Sequence, residues 1–356
     1  MAATLNDVAE ESKVSISTVS CVINGKDFPT RYSEETKQKV LEAAERLGYI
    51  PNRLARGLNL KRTGTIGVVF TNALGTFMNE IINGIQGVTH KQGFDLFLCI
   101  SDDDWQKEAS HIRMLRERKV DGMIVFMVAC SKKDKISHEH ILSVKDAGIP
   151  LVFVDRYLPG VDIDYVVADD FHGAYDAVNH LIKLGHRKIA HVTTDVDCTS
   201  NHNRLAGYTK ALSDAGIPIN NEYIKTTKYF GKEAGHEPTL ELLAMKERPT
   251  AIFFISDGVA IDALEVIKRD GFMVPEDIAI VSFGNSRESA YLEVPLTAVD
   301  QPPTELGKRA GEIIIDKIEN PDEKGCKQVS IKPTLVIRKS CGASLKSRQM
   351  LPGEEV

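Results

Sequence analysis

Apolar residues recur at helical spacing in three short segments of the first fifty residues. In the second segment, Val19, Val22 and Ile23 are three or four positions apart, as on the buried stripe of an amphipathic helix. The third segment begins after Ser33 and ends at Gly48, and its predicted buried face consists of Val40, Leu41, Ala44 and Leu47. The pattern predicts three short helices around one small core.

Hydroxyl side chains stand where the first two helices should begin. Thr4 and Asp7 have the spacing of a capping box, and Ser15 precedes the second helix as its cap. The opposite face of that helix carries short side chains, namely Ile16, Ser17, Thr18, Ser20 and Cys21. Such side chains let a helix enter the DNA major groove, where hydroxyl groups bond to base edges and isoleucine meets a thymine methyl group. Residues 1–50 are therefore predicted to form an all-α helix-turn-helix head, although an ordinary pair of amphipathic helices would show a similar pattern.

An ordered set of spaced residues makes this prediction more specific. The set comprises Val14-Ser15, Thr18-Val19-Ser20, Asn24-Gly25, Glu42-Ala43-Ala44, Leu47-Gly48-Tyr49 and Pro51-Asn52. On these residues the chain resembles the lactose-repressor/galactose-repressor family of bacterial transcription regulators. The resemblance extends over residues 4 to 340, through segments such as Arg204-Leu205-Ala206-Gly207-Tyr208.

The resemblance implies that DNA is contacted by the head and by a hinge helix within residues 51–63. The expected DNA-binding residues are Thr4, Ser15, Ile16, Ser17, Thr18, Ser20, Cys21, Asn24, Tyr49, Asn52, Arg53, Ala55, Arg56 and Leu58. In this scheme each head of a homodimer reads half of a near-palindromic operator, and Leu58 enters the minor groove at its centre. The tail, residues 341–356, has no sustained heptad, so a dimer is expected and not a tetramer.

Three departures from the family pattern change what the resemblance implies. Cys21 stands where the family commonly has an arginine that reads guanine, so the usual operator bases are in doubt. Lys13 replaces a turn glycine, at a cost of about 1 kcal/mol if its backbone is left-handed. Asn285 replaces a carboxylate that often holds sugar hydroxyls, which leaves open an unusual or phosphorylated sugar, or a partner protein, as the effector.

Charge is unevenly distributed along the chain. The whole chain has 44 basic and 50 acidic residues, whereas residues 1–62 have ten basic and eight acidic ones. Arg46, Arg53, Arg56, Lys61 and Arg62 lie in a stretch without any acidic residue. A local basic strip on an acidic protein is typical of phosphate contact at one place and not of a general nucleic-acid coat. For Lys61 and Arg62, a solvated linker is an equally good interpretation.

Beyond Thr63, short β-rich segments alternate with helical ones. The predicted strands cover residues 66–70, 95–100, 122–126, 150–154, 188–192, 251–255 and 278–283. Continuous apolar strands between helices indicate parallel sheets with helices on both faces. We predict a two-lobed α/β core at 64–340 that resembles periplasmic binding proteins. The first lobe is expected at about 64–164 and 296–325, including a helix at 304–318, and the second at about 165–295 and 326–340.

Ligands bind beyond the carboxyl ends of strands in open parallel sheets, so residues directly after the strands are candidates for an effector site. Together with the resemblance, this position selects Phe77, Asp102, Asp155, Arg156, Arg204, Phe230, Ser256 and Asn285. Carboxylates, a guanidinium group and aromatic faces suit a sugar-like effector, and Arg204 is the leading candidate. Asp102–Asp104 could instead cap a helix, Asp257 is expected to cap another, and Phe230 could be buried core.

Other classes of protein explain the sequence less well. The chain lacks the glycine-rich phosphate motifs and the Gly-x-Ser-x-Gly motif, and His138 and His140, two residues apart, are expected on the surface and not at a metal. We therefore predict a regulator that is not an enzyme and has no cofactor or metal, with a stand-alone sugar-binding protein as the alternative. The absence of a signal-like N-terminus and of long apolar runs predicts a cytoplasmic protein, and the six scattered cysteines are expected to be reduced thiols.

Overall fold

The chain forms two compact units, residues 1–63 and residues 64–356. The computed structural model describes residues 3–23, 32–50, 62–71, 75–129, 138–227 and 233–344. We call the first unit the head and the second unit the core, and each is described separately. In the part of the chain so described, no helix is long and apolar enough to cross a membrane.

The head contains the three predicted helices. They are α1 (Leu5–Ser12), α2 (Ile16–Ile23) and α3 (Glu34–Arg46). The predicted capping box is present, because the Asp7 backbone N–H donates to Thr4 Oγ1 over 3.3 Å and the Thr4 N–H donates to Asp7 Oδ2 over 2.7 Å. Ser15 caps α2 by accepting the Thr18 N–H at 3.2 Å. Lys13 ends α1 in the left-handed conformation, with φ of 56°, as a residue in place of glycine must.

The buried face of α3 differs from the prediction. Val40 and Ala43 are fully buried, whereas Leu41 is 55% exposed and Leu47 is 38% exposed. The head buries Val40 and Ala43 together with Val8, Ala9 and Val19. Because three short helices enclose so little volume, only a narrow stripe of α3 reaches the centre, and the wider predicted face turns partly to solvent.

The core continues the numbering with eight helices and twelve strands among its described residues. The helices are α4 (Thr76–Thr89), α5 (Trp105–Glu117), α6 (Glu139–Asp146), α7 (Asp170–Lys183), α8 (Thr199–Asp214), α9 (His236–Leu243), α10 (Asp257–Arg269) and α11 (Pro303–Glu319). The strands are β1 (Thr65–Phe70), β2 (Asp95–Ile100), β3 (Gly122–Val125), β4 (Leu151–Val154), β5 (Asp164–Ala168), β6 (Ile189–Thr194), β7 (Ile224–Thr227), β8 (Ala251–Phe254), β9 (Ala279–Phe283), β10 (Thr297–Asp300), β11 (Gln328–Ile331) and β12 (Thr334–Val336). All seven predicted strands and the helix predicted at 304–318 are present.

Each lobe contains one six-stranded sheet. The order is β11-β5-β4-β3-β1-β2 in the first lobe and β12-β10-β9-β8-β6-β7 in the second. The strands are parallel except β12, which pairs antiparallel with β10. Nearly every side chain of the central strands is buried, because helices cover both faces. The predicted two-lobed α/β architecture is therefore confirmed.

The predicted lobe boundaries were wrong at three strands. β5 pairs with β4 and so belongs to the first lobe, although residues 165 onward were assigned to the second. β10 pairs with β9 in the second lobe, and β11 pairs with β5 in the first. Apolar spacing identifies a strand but not its partner, since the partner is fixed by backbone hydrogen bonds between distant segments.

Two helix pairs approach closely at glycine. A Cβ added at Gly307 in α11 would lie 2.0 Å from the Ile81 carbonyl oxygen of α4, and one added at Gly207 in α8 would lie 2.3 Å from the Phe171 carbonyl oxygen of α7. No side chain fits at either position. These contacts hold α4 against α11 over the first sheet, and α7 against α8 over the second.

Candidate DNA-reading helix and interlobe cleft

The face of α2 opposite the head core presents the predicted reading side chains to solvent. Val19 of this helix is fully buried, whereas Ile16 is 51% exposed. Ser17 is also exposed, and Thr18, Ser20 and Cys21 are half-buried. Short hydroxyl, thiol and alkyl groups on an exposed helix suit contact with base edges in a major groove.

Three other predicted DNA-binding residues have structural partners within the head. Thr4 and Ser15 are occupied as helix caps, and Ser15 Oγ lies 2.8 Å from both Ser17 Oγ and Thr18 Oγ1. Tyr49 packs against the head core. The remaining predicted residues, Asn24, Asn52, Arg53, Ala55, Arg56 and Leu58, lie outside the described residues.

A cleft of about 350 Å³ lies between the two lobes of the core. It is lined by residues that follow the carboxyl ends of β1, β2, β4, β8, β9 and β10 and by the first turns of helices, as expected for open parallel sheets. Six of the eight predicted effector residues line it, namely Phe77, Asp155, Arg156, Arg204, Ser256 and Asn285. This volume is at the lower end of the range that small-molecule sites occupy, about 300–1,000 Å³.

Arg204 is buried and its guanidinium group is already partnered by the protein. Its Nε–H donates to Asp170 Oδ1 over 2.8 Å, and Nη1 donates to the Ile255 carbonyl over 2.8 Å. Its Cζ lies 3.8 Å from the centre of the Phe283 ring. The protein itself thus supplies the anionic partner of Arg204, and Arg204 joins α7, α8 and the end of β8. Burial raises the pKa of Asp170 to about 6, in spite of the guanidinium group, which acts in the opposite direction.

Asp155 and Arg156 form a second charged pair at the end of β4. Arg156 Nε lies 3.2 Å from Asp155 Oδ2, and both side chains are largely buried. Asp155 has a φ of 70°, an uncommon left-handed conformation for a residue with a side chain. Arg156 also lines a second cavity of about 180 Å³ together with His138 and His202. The pair therefore stands between two cavities.

On the second lobe, caps and amide contacts position the lining side chains. Ser256 caps α10 by accepting the Val259 N–H at 3.4 Å, so the cap predicted at Asp257 lies one residue earlier. Asp257 instead accepts the Ser286 N–H at 2.6 Å and lines the cleft. Asn285 donates to Asp300 Oδ1 over 3.2 Å and accepts from Arg338 Nη2 at 2.7 Å. Asn285 has no carboxylate, but Asp300 on the neighbouring strand β10 supplies one beside it.

Two predicted effector residues do not line the described cleft. Asp102 is exposed and pairs with Lys107 over 2.8 Å, which agrees with the alternative of a capping run, since Asp104 caps α5. Its neighbour Asp103 lines the cleft instead. Phe230 lies outside the described residues, so its role stays a prediction.

His138 and His140 were wrongly expected on the surface. His140 Nε2 lies 2.7 Å from Oε1 of Glu108, a carboxylate that is 1% exposed and also accepts the Val128 N–H at 2.6 Å. His138 is partly buried beside this pair, and burial lowers its pKa. This cluster could not be predicted from the sequence, because Glu108 and His140 belong to different helices. The cysteines within the described ranges are free thiols, as predicted.

Sequence analysis missed several residues that line the cleft. They are Thr71, Glu80, Ser200, Asn201, Asp257, Asp300 and Gln301, among others. Asp300 ends β10 and Gln301 directly follows it, so the position rule would have pointed to this site had β10 been recognised. Ser200 and Asn201 are in the first turn of α8 and had no such signal.

A helix-turn-helix head joined to a two-lobed α/β unit with a cleft defines a class of bacterial DNA-binding regulators. Residues 4–52 match the family described as bacterial regulatory proteins, lacI family, and residues 178–341 match the periplasmic binding protein-like domain. The HTH-type transcriptional repressor PurR of Mannheimia succiniciproducens is 35% identical over 339 residues, which cover 95% of this chain and 98% of the relative. The chain therefore belongs to the LacI family and is a DNA-binding transcriptional repressor, as the sequence predicted, and its relatives are repressors and not enzymes.

Solved structures agree with this assignment. The Lac repressor dimer bound to operator and the anti-inducer ONPF has a TM-score of 0.82 at 26% identity, covering 96% of this chain and 99% of that one. The transcriptional regulator CelR in complex with cellobiose has a TM-score of 0.71 at 28% identity, covering 95% of this chain and 99% of that one.

Proposed function

We propose that this repressor binds its operator as a homodimer and that a sugar-like effector in the interlobe cleft controls its affinity for DNA. The observation that carries the proposal is the cleft itself, which combines aromatic side chains with many hydrogen-bonding groups at the carboxyl ends of two parallel sheets. Phe77, Asp155, Arg156, Ser256 and Asn285 are the proposed effector contacts. Cellobiose in the related CelR structure supports a sugar as the class of ligand.

In the proposed mechanism, the effector changes the relative angle of the two lobes. Three segments cross between the sheets, one after β5, one after β10 and one between β11 and β12, so a ligand in the cleft touches both bodies that these segments connect. A change in lobe angle acts on the chain that leads to the head and so alters operator affinity. Effector and operator must then affect each other's binding reciprocally.

The proposed dimer is supported by the edge of the first sheet. β2 is an edge strand, and Leu98 and Ile100 on it are 47% and 39% exposed. Exposed apolar side chains on an unpaired edge favour association with another chain. The related Lac repressor structure is a dimer on its operator.

Selection of binding sites from random DNA tests the reading helix. We expect the wild-type protein to select a near-palindromic site, and Cys21→Arg to add a guanine preference worth about 1–3 kcal/mol at one position of each half-site, because arginine donates two hydrogen bonds to guanine. Gln38→Arg is the matched control, since it adds the same charge on the exposed side of α3. It should raise non-specific affinity without changing the selected sequence. If Cys21→Arg selects the same site as the wild-type protein, Cys21 does not face the bases.

A further inference from the structure

Among the described residues that line the cleft, acidic groups outnumber basic groups. The described residues that line it include five carboxylates and two guanidinium groups: Glu80, Asp103, Asp155, Asp257, Asp300, Arg156 and Arg204. A binding site for an anionic ligand would need the opposite excess, because a negatively charged ligand is repelled by carboxylates in a partly desolvated cavity. The charge balance therefore bears on the class of effector.

Both guanidinium groups already lie beside a carboxylate of the protein. Arg204 is paired with Asp170 over 2.8 Å, and Asp170 itself lies behind the cleft lining. Arg156 is paired with Asp155 over 3.2 Å. Each arginine thus forms an ion pair with a carboxylate of the protein without any ligand.

Among the remaining carboxylates, Asp257 is compensated within the protein. It accepts the Ser286 N–H at 2.6 Å and the Gly258 N–H at 3.1 Å, in the first turn of α10, where the helix dipole stabilises a negative charge. Glu80, Asp103 and Asp300 have no ion pair within 4.0 Å with any residue that the structure describes, although the Arg156 charge partly compensates Asp103. These three carboxylates carry the negative charge of the cleft that no ion pair neutralises.

The three carboxylates come from both lobes, and that of Asp300 has a hydrogen-bond partner. Glu80 lies one helical turn after Phe77 on α4, so both side chains lie on the same face of the helix and both line the cleft. Burial raises the pKa of Asp103, and the nearby Arg156 guanidinium group acts in the opposite direction. Asp300 on the second lobe is fixed by the Asn285 amide, and Arg338 holds that amide in turn.

We propose that the effector is an amino sugar whose ammonium group is held by carboxylates of both lobes, Glu80 and Asp103 on the first and Asp300 on the second. This inference rests on the proposed function and specifies its ligand. Carboxylates on opposing lobes repel each other across an empty cleft, and an ammonium group between them favours closure. The same charge that selects the ligand thus drives the change in lobe angle, and a phosphorylated sugar is selected against.

Matched ligands test the proposal directly. The full-length protein is titrated calorimetrically at pH 7 with glucose, galactose and mannose, each as the neutral hexose, the 2-amino-2-deoxyhexose and the 6-phosphate. At least one amino sugar is expected to bind about tenfold or more tightly than its neutral counterpart, and the 6-phosphates more weakly than either. Asp300→Asn should remove most of the preference for the amine and change the affinity for the neutral hexose far less. Asp322→Asn, at an exposed position outside the cleft, should leave both affinities unchanged.

The outcomes separate this proposal from the proposed function. Tighter binding of a neutral hexose or a 6-phosphate, or no binding of any amino sugar, overturns the amino-sugar effector. A neutral or phosphorylated ligand that binds more tightly than its amino counterpart and also changes operator affinity would overturn it while supporting the proposed function. An amino sugar that binds tightly through Asp300 but leaves operator affinity unchanged would support the ligand class and contradict the proposed regulation.

Discussion

The head and the core form their functional surfaces from very different lengths of sequence. The head has a core of five buried residues from three adjacent helices, and its proposed DNA-reading face lies on one helix of eight residues. The cleft of the core is lined by residues from Thr71 to Pro303, which come from both sheets. A surface on one helix is formed by a few consecutive residues. A cleft between two sheets depends on how strands from distant parts of the chain pair. The function of the head can therefore be predicted from its sequence, whereas much of the site in the core cannot.

The largest expected effect belongs to the buried ion pair of the core. Arg204→Ala leaves the Asp170 carboxylate buried without its partner, so the free energy of unfolding should fall by about 3–5 kcal/mol at pH 7. Chemical denaturation followed by circular dichroism measures the loss. Operator binding by the protein that remains folded should be retained.

Lys210→Ala is the matched control for this variant, since Lys210 is on the same helix and pairs with Asp214 at the surface. Loss of that exposed pair should cost about 1 kcal/mol or less. Equal costs for the two variants would contradict a structural role for the Arg204–Asp170 pair.

Acid should distinguish the two regions, because the head contains no histidine. In the core, His191 is fully buried between Tyr208 and Phe253, and burial lowers its pKa from 6.5 to about 4. Between pH 6.5 and pH 4 the unfolded chain binds a proton that the folded core does not, so stability falls as the pH falls, by up to about 3 kcal/mol. His191→Gln should remove this part of the pH dependence.

The pH profile is read as the difference between variant and wild type, because the raised pKa of Asp170 acts in the opposite direction over part of the same range. Unfolding free energies at pH 7, 6, 5 and 4 provide the comparison, with His90→Gln, at an exposed position, as the matched control. Parallel profiles for His191→Gln and the wild-type protein would contradict the prediction.

The smallest effect on stability is expected in the head. Val19→Ala removes two methyl groups from a core of five residues and should destabilise the head by about 2 kcal/mol. Operator affinity should fall, while the affinity of the core for its ligand stays unchanged. Titrations with operator DNA and with the cleft ligand at 37 °C test this. A parallel loss of ligand affinity in the cleft would show that the substitution in the head also affects the core.

The sequence predicted those features that depend on local spacing. The capping residues Thr4 and Ser15 and the strands with continuous apolar residues were all recognised, because each leaves a signal within a few positions. The lobe assignments of β5, β10 and β11 were wrong because strand pairing leaves no such signal. The family resemblance supplied the two-lobed architecture but not these details.

The cleft was predicted only in part, for the same physical reason. Asp155 and Arg156 follow a strand and were selected. Ser200 and Asn201 also line the cleft, but no strand or motif recognised in the sequence marked their positions. Arg204 was the leading effector candidate and lines the cleft, but its partner Asp170 is 34 residues away in sequence and was not predicted. The carboxylates that lack an ion pair can be identified only when all the ion pairs around the cleft are known.

The central claim is that occupation of the cleft and binding of the operator are coupled. The most direct test measures operator affinity with and without a saturating cleft ligand, and ligand affinity with and without saturating operator. The account predicts that the two ratios are equal and differ from one by about tenfold or more, because coupling between sites is reciprocal. A ligand that binds in the cleft and leaves operator affinity unchanged would contradict it.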